Sequence, residues 1–204
     1  MRLILMELDA ARVLNFTFGK QKMRAELSNN LVKIRRYRAD DVPLLFEAAR
    51  ESTNEMLVWL SWCHPNYTIE ESRSFVLSSE TAWNEKIRFG FAVFDVKSDL
   101  FLGGVGLNQI NRNHNFANLG YWVRSSQTGR GIATAATLLA AKFGFADLGL
   151  NRIEILTATG NLASRRVAEK AGAIKEGILR NRLLLHDRPQ DAVMYSLIAA
   201  DINI

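Results

Sequence analysis

The sequence predicts a mixed α/β fold: a meander of antiparallel strands leading into β-α-β-α-β, one sheet with helices on both faces. Three observations predict it. Short segments of high β propensity separated by polar turns occupy the first half. Strand and helix patterns alternate after about residue 130. The 204 residues, 48% of them apolar and 23% charged, suit one globular domain. A domain of this size buries roughly 70% of its unfolded surface without disulfide or metal.

Residues 1–28 read as an N-terminal extension, weakly periodic, with a polar stretch at 19–22; Met23 is an alternative start. The domain proper is expected over 29–204. Residues 31–37 alternate and are β-rich, so they form the first strand, and Arg35 and Arg36 are expected as solvated or edge charges. Asp40 or Asp41 then caps a helix whose apolar face includes Val42, Leu45 and Ala49. Further helical stretches are expected around 52–61 and 69–85, the second opening on a Thr68/Glu71 capping box. Strands at 88–94, 100–108 and 117–124 are separated by polar turns at 95–99 and 111–115. After them come a helix at 132–145, a strand at 151–157 and a helix at 162–171 stopped by Gly172. Strands at 173–185 and 191–198 close the chain around a turn at 186–189.

Composition restricts partners more than it selects them. A net charge of +5 and a pI near 9.6 favour a polyanion: nucleic acid, an anionic membrane or a phosphate-bearing cofactor. The Lys and Arg residues are scattered, and no aromatic-plus-basic strand motif is present, which argues against nucleic acid. No stretch approaches the roughly 18 apolar residues of a membrane span, and the run from Met1 to Met6 is too short for a secretory signal. The single Cys63 cannot form an internal disulfide, which suits a reducing cytoplasm. It reads as inert rather than nucleophilic. There is no Cys/His cluster with zinc spacing, so no metal is expected.

Two motifs carry chemistry. In Tyr121-Trp122-Val123-Arg124-Ser125-Ser126-Gln127-Thr128-Gly129-Arg130-Gly131-Ile132-Ala133-Thr134, a strand enters a two-glycine turn and a long helix follows at once. Main-chain N–H groups in such a turn, with the positive end of the helix, form an anion site. Taken alone, Gly-x-Gly reads as well as a tight β-to-α turn. The second motif, one strand and one helix later, is Asn161-Leu162-Ala163-Ser164-Arg165-Arg166-Val167-Ala168-Glu169-Lys170-Ala171-Gly172. Asn161 and Ser164 can cap this helix, or face a ligand with an amide donor and acceptor and with a proton for a departing thiolate. Together the motifs set two helix N-termini beside neighbouring strands, a cleft for an extended phosphorylated ligand.

Over roughly residues 31–200 the chain resembles the GNAT superfamily of N-acetyltransferases, and within it the RimJ/RimL-like group. The resemblance rests on Gly-Tyr-Trp-Val before the turn, on Thr-Gly-Arg-Gly-Ile-Ala-Thr-Ala-Ala within it, and on Asn-x-x-Ser-x-x-x-x-Glu-Lys-x-Gly-Ala-x-x-Glu-Gly from Asn161 to Gly177. It implies the acyl-CoA N-acyltransferase fold, acetyl-CoA as cosubstrate, and direct attack by a primary amine within a ternary complex. The acceptor would be a protein N-terminus, such as a ribosomal protein's, or a small amine. It implies that Thr128, Gly129, Arg130, Gly131, Ile132, Ala133 and Thr134 cradle the pyrophosphate. It also implies that the Val123 N–H polarises the acetyl carbonyl and stabilises the oxyanion. Asn161 would contact the pantetheine arm, Ser164 would lie near the sulfur, and Arg166, with Arg130 and Arg165, would screen the phosphates. Trp59 and Trp62 correspond to the aromatic segment that lines the acceptor groove.

The chain departs from the family twice. Thr128 stands where Arg or Gln is usual. The general-base Glu of some relatives falls near Leu183, where no carboxylate lies, leaving Glu55, Glu176 and His186 as candidates. A non-catalytic acyl-CoA-binding or regulatory module is the alternative function. A homodimer is compatible with the sequence, which bears no signature of one.

Overall fold

The computed structural model describes residues 23–203, so most of the stretch read as an extension lies outside the described residues. Among the described residues, eight strands form one mixed sheet: β1 (Glu26–Ser28), β2 (Val32–Arg36), β3 (Phe89–Asp95), β4 (Phe101–Asn111), β5 (Phe116–Val123), β6 (Arg152–Ala158), β7 (Ile174–Leu185) and β8 (Arg188–Leu197). Their order across the sheet is β1-β2-β3-β4-β5-β6-β8-β7. Neighbours run antiparallel except β5 and β6, which run parallel. Five α-helices among the described residues cover it: α1 (Val42–Glu51), α2 (Thr53–Met56), α3 (Ile69–Asn84), α4 (Ile132–Ala146) and α5 (Leu162–Lys170).

Strand alternation divides the interior in two. Phe89, Phe91 and Val93 of β3 join Val105 and Leu107 of β4, Ile153 and Ile155 of β6 and Val193 of β8 beneath α4. Ala92, Phe94 and Phe101 face the other way, against Val42, Leu45 and Ala48 of α1 and Val76 of α3. The larger core centres on Phe143 of α4, fully buried, with its ring centroid 5.1 Å from that of Phe91 and 5.4 Å from that of Trp83. Such aromatic contacts add to the area they bury.

The capping box of α3 forms as expected: Thr68 accepts from the Glu71 N–H at 3.3 Å, and Glu71 accepts from the Thr68 N–H at 2.9 Å. Elsewhere tertiary contacts overrode local signals. Asp41 makes no side-chain cap on α1. It is buried, and its carboxylate takes the Arg35 guanidinium at 2.7 and 2.8 Å and the Arg38 N–H at 2.8 Å. Arg35 is therefore a mostly buried ion-pair partner rather than a solvated charge. Arg36 lies over the Trp83 ring, 4.7 Å from its centroid.

The helix expected at 52–61 shrinks to four residues followed by turns. Ser52 and Thr53 return their hydroxyls to the carbonyls of Ala48 and Ala49, at 2.7 and 3.1 Å, and such back-bonding bends a helix. β1, inside the stretch read as extension, pairs with β2 from Glu26↔Arg35 to Ser28↔Lys33. Arg24 ties that edge to α4 through a forked contact with Asp147. β4 runs on to Asn111 past an irregularity after Asn108. β8 starts at Arg188 because His186 and Asp187, both at positive φ, complete the turn alone.

Candidate active site

The site begins where the two parallel strands part. β5 and β6 are in register only at Phe116↔Arg152, Ala117↔Ile153 and Asn118↔Glu154, although both run on for four or more residues. Beyond Asn118 they splay into a wedge. On its far side β5 stays paired with β4, and the Arg124 N–H donates to the Leu102 carbonyl at 2.9 Å. Antiparallel alternation then turns the N–H groups of Trp122 and Gly120 toward β4, and those of Val123 and Tyr121 into the wedge. Buried main-chain donors require acceptors, so this open edge is built for a ligand. Gly103, opposite Val123, permits the close strand approach: a Cβ there would lie 2.2 Å from the Trp122 carbonyl oxygen.

The turn after β5 is pinned from the α1 side. The Arg124 guanidinium, nearly buried, donates to Glu51, to Glu47 at 2.9 Å and to the Phe101 carbonyl at 3.3 Å. The Ser125 N–H donates to the Ser52 hydroxyl at 3.0 Å, and the Ser126 N–H to Glu51 at 2.9 Å. Arg124, and then Ser126, hold the Glu51 carboxyl down from 4.5 to about 2.

The chain next passes through Gly129 at φ +76° and Gly131 at φ +79°, conformations that cost a side chain. It enters α4 with no side-chain cap. The first N–H groups of α4 therefore point out of the helix end without an acceptor, on the positive pole of its dipole. At α5, the Asn161 side-chain oxygen accepts from the Ser164 N–H at 3.0 Å. The Tyr121 hydroxyl reaches across the wedge to the Ser164 carbonyl at 2.8 Å and its hydroxyl at 3.1 Å. Burial pushes the Tyr121 phenol up to about 12.

These parts enclose one cleft of about 830 Å³, within the range for a small-molecule site. A family model for the acetyltransferase (GNAT) domain matches residues 32–174 of this chain.

The chain belongs to the GNAT acetyltransferase family.

It is an acetyl-CoA-dependent N-acetyltransferase of the RimJ/RimL-like kind. The probable N-acetyltransferase YjcK of Bacillus subtilis is 32% identical over 136 residues, 66% of this chain and 75% of that protein. A ribosomal-protein-serine acetyltransferase of Escherichia coli is 30% identical over 140 residues, 68% of this chain and 76% of that one. Among solved structures, RimL, a ribosomal L7/L12 α-N-protein acetyltransferase in complex with coenzyme A, superposes with a TM-score of 0.75. That comparison covers 87% of this chain and 98% of RimL at 22% identity, a likeness of fold.

In the GNAT chain, Val123, Thr128, Gly129, Gly131, Ile132, Ala133, Thr134, Asn161, Ser164 and Arg166 all line the cleft, as does Trp59. Arg130 and Trp62 do not. Arg130 donates to Gln127, and Trp62 stacks edge-on against Trp122 and Tyr67, with centroids 5.6 and 5.8 Å apart. Arg165 turns to the Tyr195 hydroxyl at 3.3 Å and the Thr159 carbonyl at 3.2 Å, whereas Lys170 lines the cleft. Tyr121 and Thr157 are among the lining residues that carried no assigned role in the sequence. Tyr121 stood inside the first motif. Thr157 had no signal at all; it is buried with an unpartnered hydroxyl.

Of the candidate bases, Glu176 lies outside the cleft, locked to Arg152 at 2.5 and 2.6 Å and to Ser196 at 2.7 Å. Arg152 holds its carboxyl down from 4.5 to about 2. Because the folded value is the lower one, its stabilisation is present above about pH 4.5 and is lost as pH falls toward 2. Glu176→Gln should therefore lower thermal stability at neutral pH, with the gap to wild type closing as pH falls toward 2, while leaving kcat/KM within about twofold, under ~0.5 kcal/mol of transition-state energy. A larger loss of turnover would return Glu176 to the chemistry.

Proposed function

We propose that this acetyltransferase acetylates the N-terminal amine of a protein substrate, and that the wedge between β5 and β6 holds acetyl-CoA for the transfer. The observation that carries the reading is the open edge of β5 running straight into an uncapped helix end, with main-chain donors along both. The residues fit the cosubstrate. Unpaired N–H groups suit a thioester carbonyl and pantetheine amides, the positive pole of α4 suits a diphosphate, and Arg166 and Lys170 add cations at the wall.

Acetyl-CoA supplies the activated acetyl group as a thioester. The Val123 N–H donates to the carbonyl oxygen, where negative charge develops during attack, and the Tyr121 N–H offers a second donor on the same edge. Residues 129–134 fix the diphosphate end, so the acetyl group is presented in one place. Asn161 keeps its amide N–H groups for the ligand while its oxygen caps α5. Ser164, oriented by Tyr121, faces the departing thiolate. Trp59 closes the acceptor side, with its ring against Gly160. The relatives support a protein N-terminus: one is named for ribosomal-protein serine, and another for the α-amino group of L7/L12. A lone reduced Cys63 accords with work in the cytoplasm.

The test is thermal stability with acetyl-CoA, followed by mass spectrometry of Ser- and Ala-initiated peptides after incubation. Ligand at 100 times its Kd adds about 2.7 kcal/mol, and the peptides should gain one acetyl group at the α-amine. Asn161→Ala should cost about 1 kcal/mol in lost capping. It should also weaken acetyl-CoA binding about tenfold, or 1.4 kcal/mol. Unaltered binding would remove Asn161 from the ligand site.

A further inference from the structure

We infer that Glu55 is the general base that takes the proton from the attacking amine, an assignment that rests on the acetyl-transfer reading above. The chemistry demands such a group. An α-amine has an ordinary pKa of about 7.7–8.0, so at neutral pH most of it is an ammonium with no lone pair to attack. During transfer the nitrogen forms the C–N bond, the C–S bond breaks toward the thiolate, and the nitrogen's surplus proton must leave.

Among the residues that line the cleft, Glu55 is the only carboxylate, and no histidine lies with it. The nearby acids are engaged elsewhere. Glu47 and Glu51 hold Arg124, Glu169 accepts from the Tyr195 hydroxyl at 2.8 Å, and Glu176 holds Arg152. His186, on the turn between β7 and β8, is bonded to the Leu57 carbonyl at 2.7 Å and does not line the cleft.

Glu55 is also aimed. It sits on α2, beside Met56, and lines the same cleft as Trp59, Ser164 and Leu183. The Ser125 hydroxyl donates to one carboxylate oxygen at 2.8 Å, two residues beyond the oxyanion donor Val123. The Ser125 N–H is bonded in turn to Ser52 at the head of α2, so helix and turn fix one another. The second oxygen remains for the amine. The charged groups around it are the Arg124 cluster behind the turn, Arg166 and Lys170 across the cleft, and His186 beyond Leu57. The missing carboxylate near Leu183 is thus replaced by one on α2 that lines the same cleft.

Glu55→Gln tests this, because its amide oxygen still accepts from Ser125. With a Ser-initiated peptide at pH 7, kcat/KM should fall by roughly 10²–10⁴. The loss should sit in kcat, acetyl-CoA should stabilise the variant as it does wild type, and the deficit should narrow above the pKa of the amine. Ser125→Ala should show a smaller loss of the same kind. A Glu55→Gln variant within about threefold of wild type at pH 7, under ~0.7 kcal/mol, would overturn the assignment. So would a deficit constant with pH together with lost acetyl-CoA stabilisation, which would make Glu55 a prop for the turn. Wild-type protein that neither binds acetyl-CoA nor acetylates the peptide would sink the transfer reading itself.

Discussion

Gly131→Glu should abolish the stabilisation that acetyl-CoA confers. In wild type that stabilisation is about 2.7 kcal/mol at 100 times Kd, which raises Tm by roughly 5–11 °C at 2–4 °C per kcal/mol. Bulk does not cause the loss, since a Cβ on Gly131 would meet nothing nearer than Leu31 at 3.9 Å. Two other effects combine. The residue holds φ at +79°, where a side chain costs of order 1–2 kcal/mol. The new carboxylate also occupies the positive pole of α4 and repels the diphosphate meant for the same N–H groups. Gly131→Ala separates the two: Tm of the free protein falls, while the shift with acetyl-CoA survives. If Gly131→Glu kept the full shift, the diphosphate would not lie at α4.

Arg124→Ala destabilises the fold and loosens the site together. The side chain is 9% exposed and bridges Glu47, Glu51 and the β4 carbonyl of Phe101. Removing one partner of a buried pair costs about 3–5 kcal/mol. Glu51 is 29% exposed and Glu47 68%, so water recovers part of that and the lower end is expected. A loss of about 3 kcal/mol lowers Tm by roughly 6–12 °C. Its pH dependence identifies the cause. Glu51 titrates at about 2 in the fold against 4.5 ordinarily, so the pair stabilises above about pH 4.5 and fades as pH falls toward 2. Urea melts should show wild type and variant closer in stability at pH 3 than at pH 7. A gap equal at both values would make the effect one of lost packing. Acetyl-CoA affinity should fall as well, because Ser125 and Ser126 are held through the same cluster.

The elements that carry the site were readable because their signals are local. Two glycines before an Ala-rich run demand a β-to-α turn wherever the chain lies, and Asn161 with Ser164 marks a helix start by its own hydrogen bond. The capping box of α3 was readable for the same reason. The misreadings fall where distant residues compete. Asp41 looked like a cap and became the counter-ion of Arg35; the stretch after Ser52 looked helical and was bent by hydroxyls bonding back into α1. Trp59 and Trp62 looked equivalent, yet one faces the cleft and the other supports Trp122.

By itself the sequence determined the order of strands and helices, the two-glycine turn before α4 and membership of the acetyltransferase family, all properties of short segments and their spacing. Only the tertiary structure decided that β5 and β6 part after three residue pairs, which hydroxyls converge on Ser164, and that Glu55 is the acid facing the cleft. Those facts depend on the packing of residues far apart in the chain, 43 positions for Tyr121 and Ser164 and 70 for Glu55 and Ser125, and no local propensity encodes such a meeting.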